Sequence, residues 1–305
     1  MILDFDNTVL DNVNNAELAR VIGLIYDRGH KIEKNPVFRR YLVENIICKN
    51  YFGQLKVDKI RNSVETRNIT DFERSCYSTI HVGNGGNLIG LSDLLIILSC
   101  SNFLVLENAL YDFEVIKRWV EFFKNDRIFS DVNSSVMDAI DNGYILPYNA
   151  GGGNGTISNA MKALIPACGS APRYKLTAIF DSDKLSSSDP VDHNKSVKQF
   201  LSSYGIPYHE LNNREIENYF SIDTFDDAGF SISDANLLSM SDIDLDYVDM
   251  EHSFSGYEKK QILRLCKYMQ KSRLLGRVNH HLISHPVFGN LTEIQIVILL
   301  LAKLI

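Results

Sequence analysis

From about residue 101 the chain alternates short apolar runs with stretches of helical period. Residues 103–106 (FLVL) read as a buried strand that ends in Glu107. Residues 113–124 follow with Val115, Ile116, Trp119, Val120 and Phe123 at the 3.6-residue period of a helix. Residues 143–148 read as a second strand running into the glycine-rich loop 149–155 (NAGGGNG), and 156–164 as a helix. A third strand over 175–180 ends in Asp181-Ser182-Asp183; a helix over 197–204 and a fourth strand over 207–211 complete the series. Strands spaced by helices predict an α/β fold with a mostly parallel sheet flanked by helices. In such sheets ligands gather at the carboxyl ends of the strands. Glu107, the glycine loop and the Asp181/Asp183 pair all fall at such ends.

The flanks carry little strand signal. Residues 1–100 read as mainly helical: 16–26 sets Leu18, Val21, Ile22 and Ile25 at helical spacing, 37–49 follows Pro36, and the glycine-punctuated 81–90 marks a loop. Beyond residue 222, an acidic, loop-like stretch to residue 251 precedes a helix over 257–273 and an apolar helix over 291–305. Three regions are expected: 1–100 for partner docking or regulation, 101–222 for catalysis, and a helical 223–305. Lys260, Arg264, Lys267 and Lys271 fall at i, i+4, i+7 and i+11, which predicts one basic helix face. Such a stripe suits a phosphate backbone, although a solvated amphipathic helix shows the same pattern.

Composition narrows the classes. The 305 residues are 45% hydrophobic, enough for a packed core and against a disordered chain. With 31 Lys+Arg against 38 Asp+Glu the net charge is −7, so any polyanion site is local or metal-assisted. Cys48, Cys76, Cys100, Cys168 and Cys266 are scattered without CxxC spacing, as reduced, mostly buried thiols of a cytoplasmic protein would be. The first residues lack a signal-peptide pattern. The apolar stretch 88–106 is broken by Asp93, Ser99, Ser101 and Asn102, and 294–305 is too short to span, so no membrane partner is expected.

The strand-end acids carry the chemistry. Hard divalent cations such as Mg²⁺ take oxygen ligands, usually one or two carboxylates with water and substrate phosphate. Two aspartates two residues apart can both reach one ion as the chain leaves the sheet, and a glutamate from a neighbouring strand end can complete the site. Phosphodiester chemistry with metal ions uses such clusters. Gly151, Gly152, Gly153 and Gly155 let backbone N–H groups approach an anion ahead of a helix N-terminus. The loop lacks the Lys-Ser/Thr ending of a P-loop, and no ATPase motif appears elsewhere.

A strand ending in glutamate, a glycine loop and a strand ending in DxD together resemble the Toprim domain of topoisomerases, primases and nucleases. LNNREIENYF over 211–220 is similar to the EIENY element of Toprim nucleases related to the overcoming-lysogenisation-defect family of phage defence. The resemblance covers about 101–222. It implies Mg²⁺ or Mn²⁺ on Glu107, Asp181 and Asp183, an acid/base role for Glu107, Lys184 at the scissile phosphate, and Glu217 as a further carboxylate, with Glu215 the weaker choice. The family places a second acid four positions after the first glutamate. Here that position is Tyr111 and the acid follows at Asp112, which puts a second metal site in question. The implied protein is a nuclease acting on DNA or RNA as a toxic effector in a bacterial defence system, with an ATPase or other regulatory protein as partner.

Two alternatives stand beside it. Asp4-Phe5-Asp6-Asn7-Thr8 matches the DxDxT pattern of haloacid-dehalogenase-like phosphatases, in which the first aspartate is the nucleophile. A polar turn with Asn/Asp caps opening the first helix is the expected reading of it. The other is a non-catalytic Toprim subunit of a larger complex. His280, His281 and His285 cluster, with an i,i+4 relation for the last two, but Pro286 follows at once, no acid is adjacent in sequence, and a satisfied or solvent-exposed role is expected.

Overall fold

The computed structural model describes the chain except for residues 12, 48–51, 53–56, 59, 61–68, 127, 153 and 193. The first part is built on β1 (Ile2–Phe5), α1 (Asn15–Asp27), β2 (Lys31–Ile32), α2 (Pro36–Tyr41), α3 (Asp71–Cys76), β3 (Thr79–Val82) and α4 (Leu91–Ser99). Helices dominate this region among the described residues, yet they enclose a parallel sheet of order β2-β1-β3. Its central strand is buried at Ile2, Leu3 and Phe5, and α1 and α4 cover it with Leu18, Ile22, Leu94 and Leu98. A π-helical turn, Leu42–Ile47, extends α2; residues 48 and 49 of the expected helix lie outside the described residues.

The second part runs β4 (Asn102–Leu106), α5 (Ala109–Phe122), α6 (Ser130–Asp141), β5 (Ile145–Asn149), α7 (Asn154–Leu164), β6 (Leu176–Phe180), α8 (Lys195–Ser203) and β7 (Tyr208–Glu210). The four strands are parallel in the order β5-β4-β6-β7. Alternate residues of the two central strands face opposite layers. Leu104, Leu106 and Ile179 pack with Val115, Trp119 and Val136 of α5 and α6. Val105, Leu176, Ala178 and Phe180 pack with Ile157, Met161, Val197 and Leu201 of α7 and α8. Burial on both faces explains why these strands read as unbroken apolar runs. Pro147 is accommodated because β5 is an edge strand. The buried Lys175 donates to the Ile97 and Cys100 carbonyls at 2.7 and 2.6 Å, fastening the end of α4 to the start of β6.

The chain leaves β4 for β5 on one side, then returns past β4 to β6 on the other. The order therefore reverses between β4 and β6, the place where open α/β sheets leave a crevice. Glu107 and Asp181 flank it.

The remaining elements are α9 (Ile222–Asp227), β8 (Ser231–Ile232), α10 (Asp242–Leu245), α11 (Met250–Ser253), β9 (Phe254–Ser255), α12 (Ile262–Tyr268), α13 (Lys271–Val278), the hairpin of β10 (Leu282–His285) and β11 (Gly289–Thr292), and α14 (Glu293–Ala302). They share the core of α5 and α6: Phe254 stacks on Phe225 at 4.0 Å, and Ile294, Val297 and Ile298 lie fully inside. The single helix expected over 257–273 is corrected. A 3₁₀ turn (Lys259–Gln261) precedes α12, and extended backbone at Met269 and Gln270 separates α12 from α13. The bend buries Met269 and turns Leu274 and Val278 inward as well. Lys260, Arg264, Lys267 and Lys271 consequently do not share one helix face. Lys260 pairs with Glu258 at 2.5 Å, while Arg264 and Lys271 lie over the Phe230 and Phe123 rings. No helix among the described residues is long and apolar enough to cross a membrane. Cys76, Cys168 and Cys266 are buried and Cys100 exposed, all unpaired; Cys48 lies outside the described residues.

Candidate functional site

β4 delivers Glu107 to the crevice, where it is 9% exposed. Its Oε1 accepts the Asp181 N–H at 3.2 Å, and its carbonyl accepts the Gly152 N–H at 3.1 Å. The first glutamate, the DxD strand and the glycine loop are thus joined through one residue. Asp112 sits in the first turn of α5, buried, with Oδ2 accepting the Asn108 N–H at 3.0 Å. The one-residue offset from the Toprim spacing still leaves this carboxylate in the electrostatic field of Asp181 and Lys259.

Asp181 is buried at the end of β6. Oδ1 accepts the Ile216 N–H at 3.0 Å, Oδ2 accepts from Lys259 Nζ at 3.3 Å, and its carbonyl accepts from Asn194 Nδ2 at 2.8 Å. Asp183 turns out of the strand with φ +56°, held by its N–H to the Arg214 carbonyl at 3.1 Å. Few non-glycine residues adopt this left-handed conformation; aspartate is among the more tolerant. The 3₁₀ turn Ile216–Tyr219 then presents Glu217, fully buried, with Oε2 3.7 Å from Lys259 Nζ.

Four carboxylates from three separate segments therefore act on one ammonium, Asp181 and Glu217 by contact and Glu107 and Asp112 through their electrostatic field. Burial, reinforced by the Asp181 charge, pushes Glu107 and Glu217 up to about 8 and Asp112 and Glu215 up to about 7. Burial alone would lower the Lys259 ammonium, but Asp181, Glu217, Asp112 and Glu107 outweigh it and push it up. Among the described residues, both oxygens of Glu217 and Oδ1 of Asp112 accept no hydrogen bond. Buried acceptors without partners are costly, and an all-oxygen donor set of this kind is what hard divalent cations take.

Of the expected site residues, Glu107, Asp112, Asp181 and Glu217 come together, with Asp183 beside them and less buried. Lys184 lines a different cavity of about 210 Å³ with Ser182, Asp189, Asp192, Lys198 and Glu210. Gly151 and Gly152 are exposed with φ near +90°, a conformation that favours glycine; Gly153 lies outside the described residues. Lys259 stands one position ahead of the basic stripe, and nothing in its neighbours announces that its ammonium reaches acids some 40 to 80 positions away.

In the first sheet, Asp4 and Asp6 stand at the carboxyl end of the central strand. Asp4 pairs with His81 Nδ1 at 2.9 Å, and Asp6 caps the turn Asn7–Leu10, accepting the Thr8 N–H at 2.8 Å. His281 and His285 do not converge: His281 turns to Asp246, whereas His285 Nδ1 accepts the Val287 N–H.

No protein-family model, curated protein or solved structure matches this chain.

Proposed function

We propose that this chain is a metal-dependent nuclease of the Toprim type, hydrolysing phosphodiester bonds of DNA or RNA. In this reading it is a cytoplasmic effector of anti-phage defence, governed by an ATPase or other regulatory partner. The observation that carries the reading is the meeting of Glu107, Asp112, Asp181 and Glu217 around Lys259 at the reversal of a parallel sheet.

The oxygens of Glu217 and Asp112 that accept no hydrogen bond fit Mg²⁺ or Mn²⁺, which Glu107, Asp181 and Glu217 would hold, with Asp112 and Asp183 at the margin. Once bound, the ion supplies neutralisation of phosphoryl charge and a more acidic water. The chain's own groups do the rest. Glu107 Oε1 is engaged by the Asp181 N–H, which leaves Oε2 to exchange a proton near neutral pH. Lys259 holds Asp181 and Glu217 together. The exposed Gly151 and Gly152, whose own N–H groups are held by Asn149 and the Glu107 carbonyl, carry no side chain to obstruct a phosphate backbone beside the crevice.

The test compares wild type with Glu107→Gln and Asp181→Asn on supercoiled DNA, single-stranded DNA and tRNA, in Mg²⁺, Mn²⁺ or EDTA. Cleavage that needs metal and is lost in both variants is expected. Intact substrates under every condition, with nucleic acid still bound, refute catalysis and leave a non-catalytic subunit.

A second reading is favoured by one observation in the first sheet. Asp4 and Asp6 lie where the order β2-β1-β3 reverses, the position at which open α/β sheets bind ligands. Asp4-dependent phosphate release from a small ester is its test.

A further inference from the structure

A second cluster lies away from the carboxylates just described. Asp246, directly after α10, is completely buried, and its Oδ1 accepts from Arg277 Nη2 at 2.7 Å. Its Oδ2 meets two imidazoles from the turn after α13: His280 Nε2 at 2.7 Å and His281 Nε2 at 2.8 Å. The two rings are adjacent in sequence, with centroids 4.4 Å apart, so their convergence on one oxygen orders two otherwise mobile side chains. Both side chains keep partial exposure, 21% and 27%, which leaves one side of the cluster open to water.

We propose that Asp246, His280 and His281 form a binding site for a divalent transition metal of the zinc class. The three donor atoms lie within 4.8 Å of one another. Two imidazole nitrogens and one carboxylate oxygen are a borderline donor set that suits zinc, unlike the all-oxygen set around Glu107. Three protein ligands with an open side leave the fourth position to water. Arg277 plays the outer part that metal carboxylates commonly require, fixing the orientation of Asp246 through the oxygen that does not face the imidazoles.

The site also has a place in the architecture. Arg277 donates to the Asn218 carbonyl at 3.2 and 3.1 Å, and Asn218 Nδ2 donates to the Leu245 and Val248 carbonyls. The Asp246 carbonyl accepts the Arg214 N–H at 2.8 Å. A metal here would pin the turn after α13 to the segment 214–219 that carries Glu217. The role is structural, and it does not rest on the nuclease reading.

The experiment uses the full chain, stripped with chelator and titrated with Co²⁺ in excess Mg²⁺, so that the oxygen cluster is supplied separately. One equivalent of Co²⁺ with visible ligand-field bands, displaced by Zn²⁺, is expected. His280→Gln and His281→Gln each keep an N–H donor for Asp246, and each should abolish the bands while far-UV circular dichroism stays unchanged. His285→Gln should keep them. Absence of bands in the wild type, or bands that survive both substitutions, overturns the site and leaves a hydrogen-bonded Asp–His–His cluster.

Discussion

Replacing Lys259 with methionine removes the ammonium in contact with Asp181 and Glu217 while keeping the length and apolar bulk of the stem. With both carboxylates ionised, the contacts at 3.3 Å to Asp181 and 3.7 Å to Glu217 are worth about 5 and 4.5 kcal/mol of attraction at an effective dielectric of about 20. The desolvation of Lys259 offsets part of this, so breaking the pair costs about 3–5 kcal/mol of stability. The loss depends on pH with a definite sign. In the variant the carboxyls retain protons in the folded state that the unfolded chain releases, so stability falls as pH rises through the range where Glu107 and Glu217 titrate, about 8 with Lys259 in place. Urea melts in EDTA should show the deficit growing from mildly acidic to mildly alkaline buffer. Excess Mg²⁺ should stabilise the variant by about 2.7 kcal/mol at one hundred times its dissociation constant. A variant as stable as wild type in EDTA at alkaline pH, or a deficit indifferent to pH, would refute the role given to Lys259.

Because Glu107 and Glu217 are raised to about 8 and Asp112 and Glu215 to about 7, Mg²⁺ affinity of the wild type should climb with pH and binding should release protons. Calorimetry in buffers of different ionisation enthalpy measures this, and a flat profile contradicts the cluster. In EDTA the folded wild type holds protons that the unfolded chain has lost, so its stability should decline from weakly acidic pH towards pH 8. Gly83→Ala would place a Cβ 2.7 Å from Leu88 Cδ1 and 2.8 Å from Thr8 Oγ1, and should cost about 1–3 kcal/mol in thermal melts. At Asp183, with φ +56°, valine should be about 1–2 kcal/mol less stable than glycine, and equal melting points would dispose of the backbone argument.

The central sheet was legible because its strands are covered on both faces, so 103–106 and 175–180 stand out as apolar runs closed by acids. The first sheet was not. β1 and β3 are four residues each and β2 only two, too short for a periodic signal, and their partners lie tens of positions away. α6 escaped because SDVNSSVMDAID buries Val132, Val136, Ala139 and Ile140 among polar neighbours that read as a loop. The basic stripe failed for the opposite reason. Its spacing was regular, but the burial of Met269 broke the helix that the spacing assumed. Local patterns carried Glu107 and Asp181 to their strand ends and the resemblance added Glu217; Lys259 joins them by tertiary contact alone.

That contact has a bearing on how the protein is made. Residues 107, 181 and 217 leave the ribosome before residue 259, and until it emerges the nascent chain can bury their carboxyls together only as neutral, protonated groups. The same late segment supplies Phe254, Ile262 and Leu265 to the core of α5 and α6. The cluster therefore closes only after residues beyond 259 have emerged, and α5 waits for its covering until then. Synthesis order alone keeps the assembled site from existing on an unfinished chain.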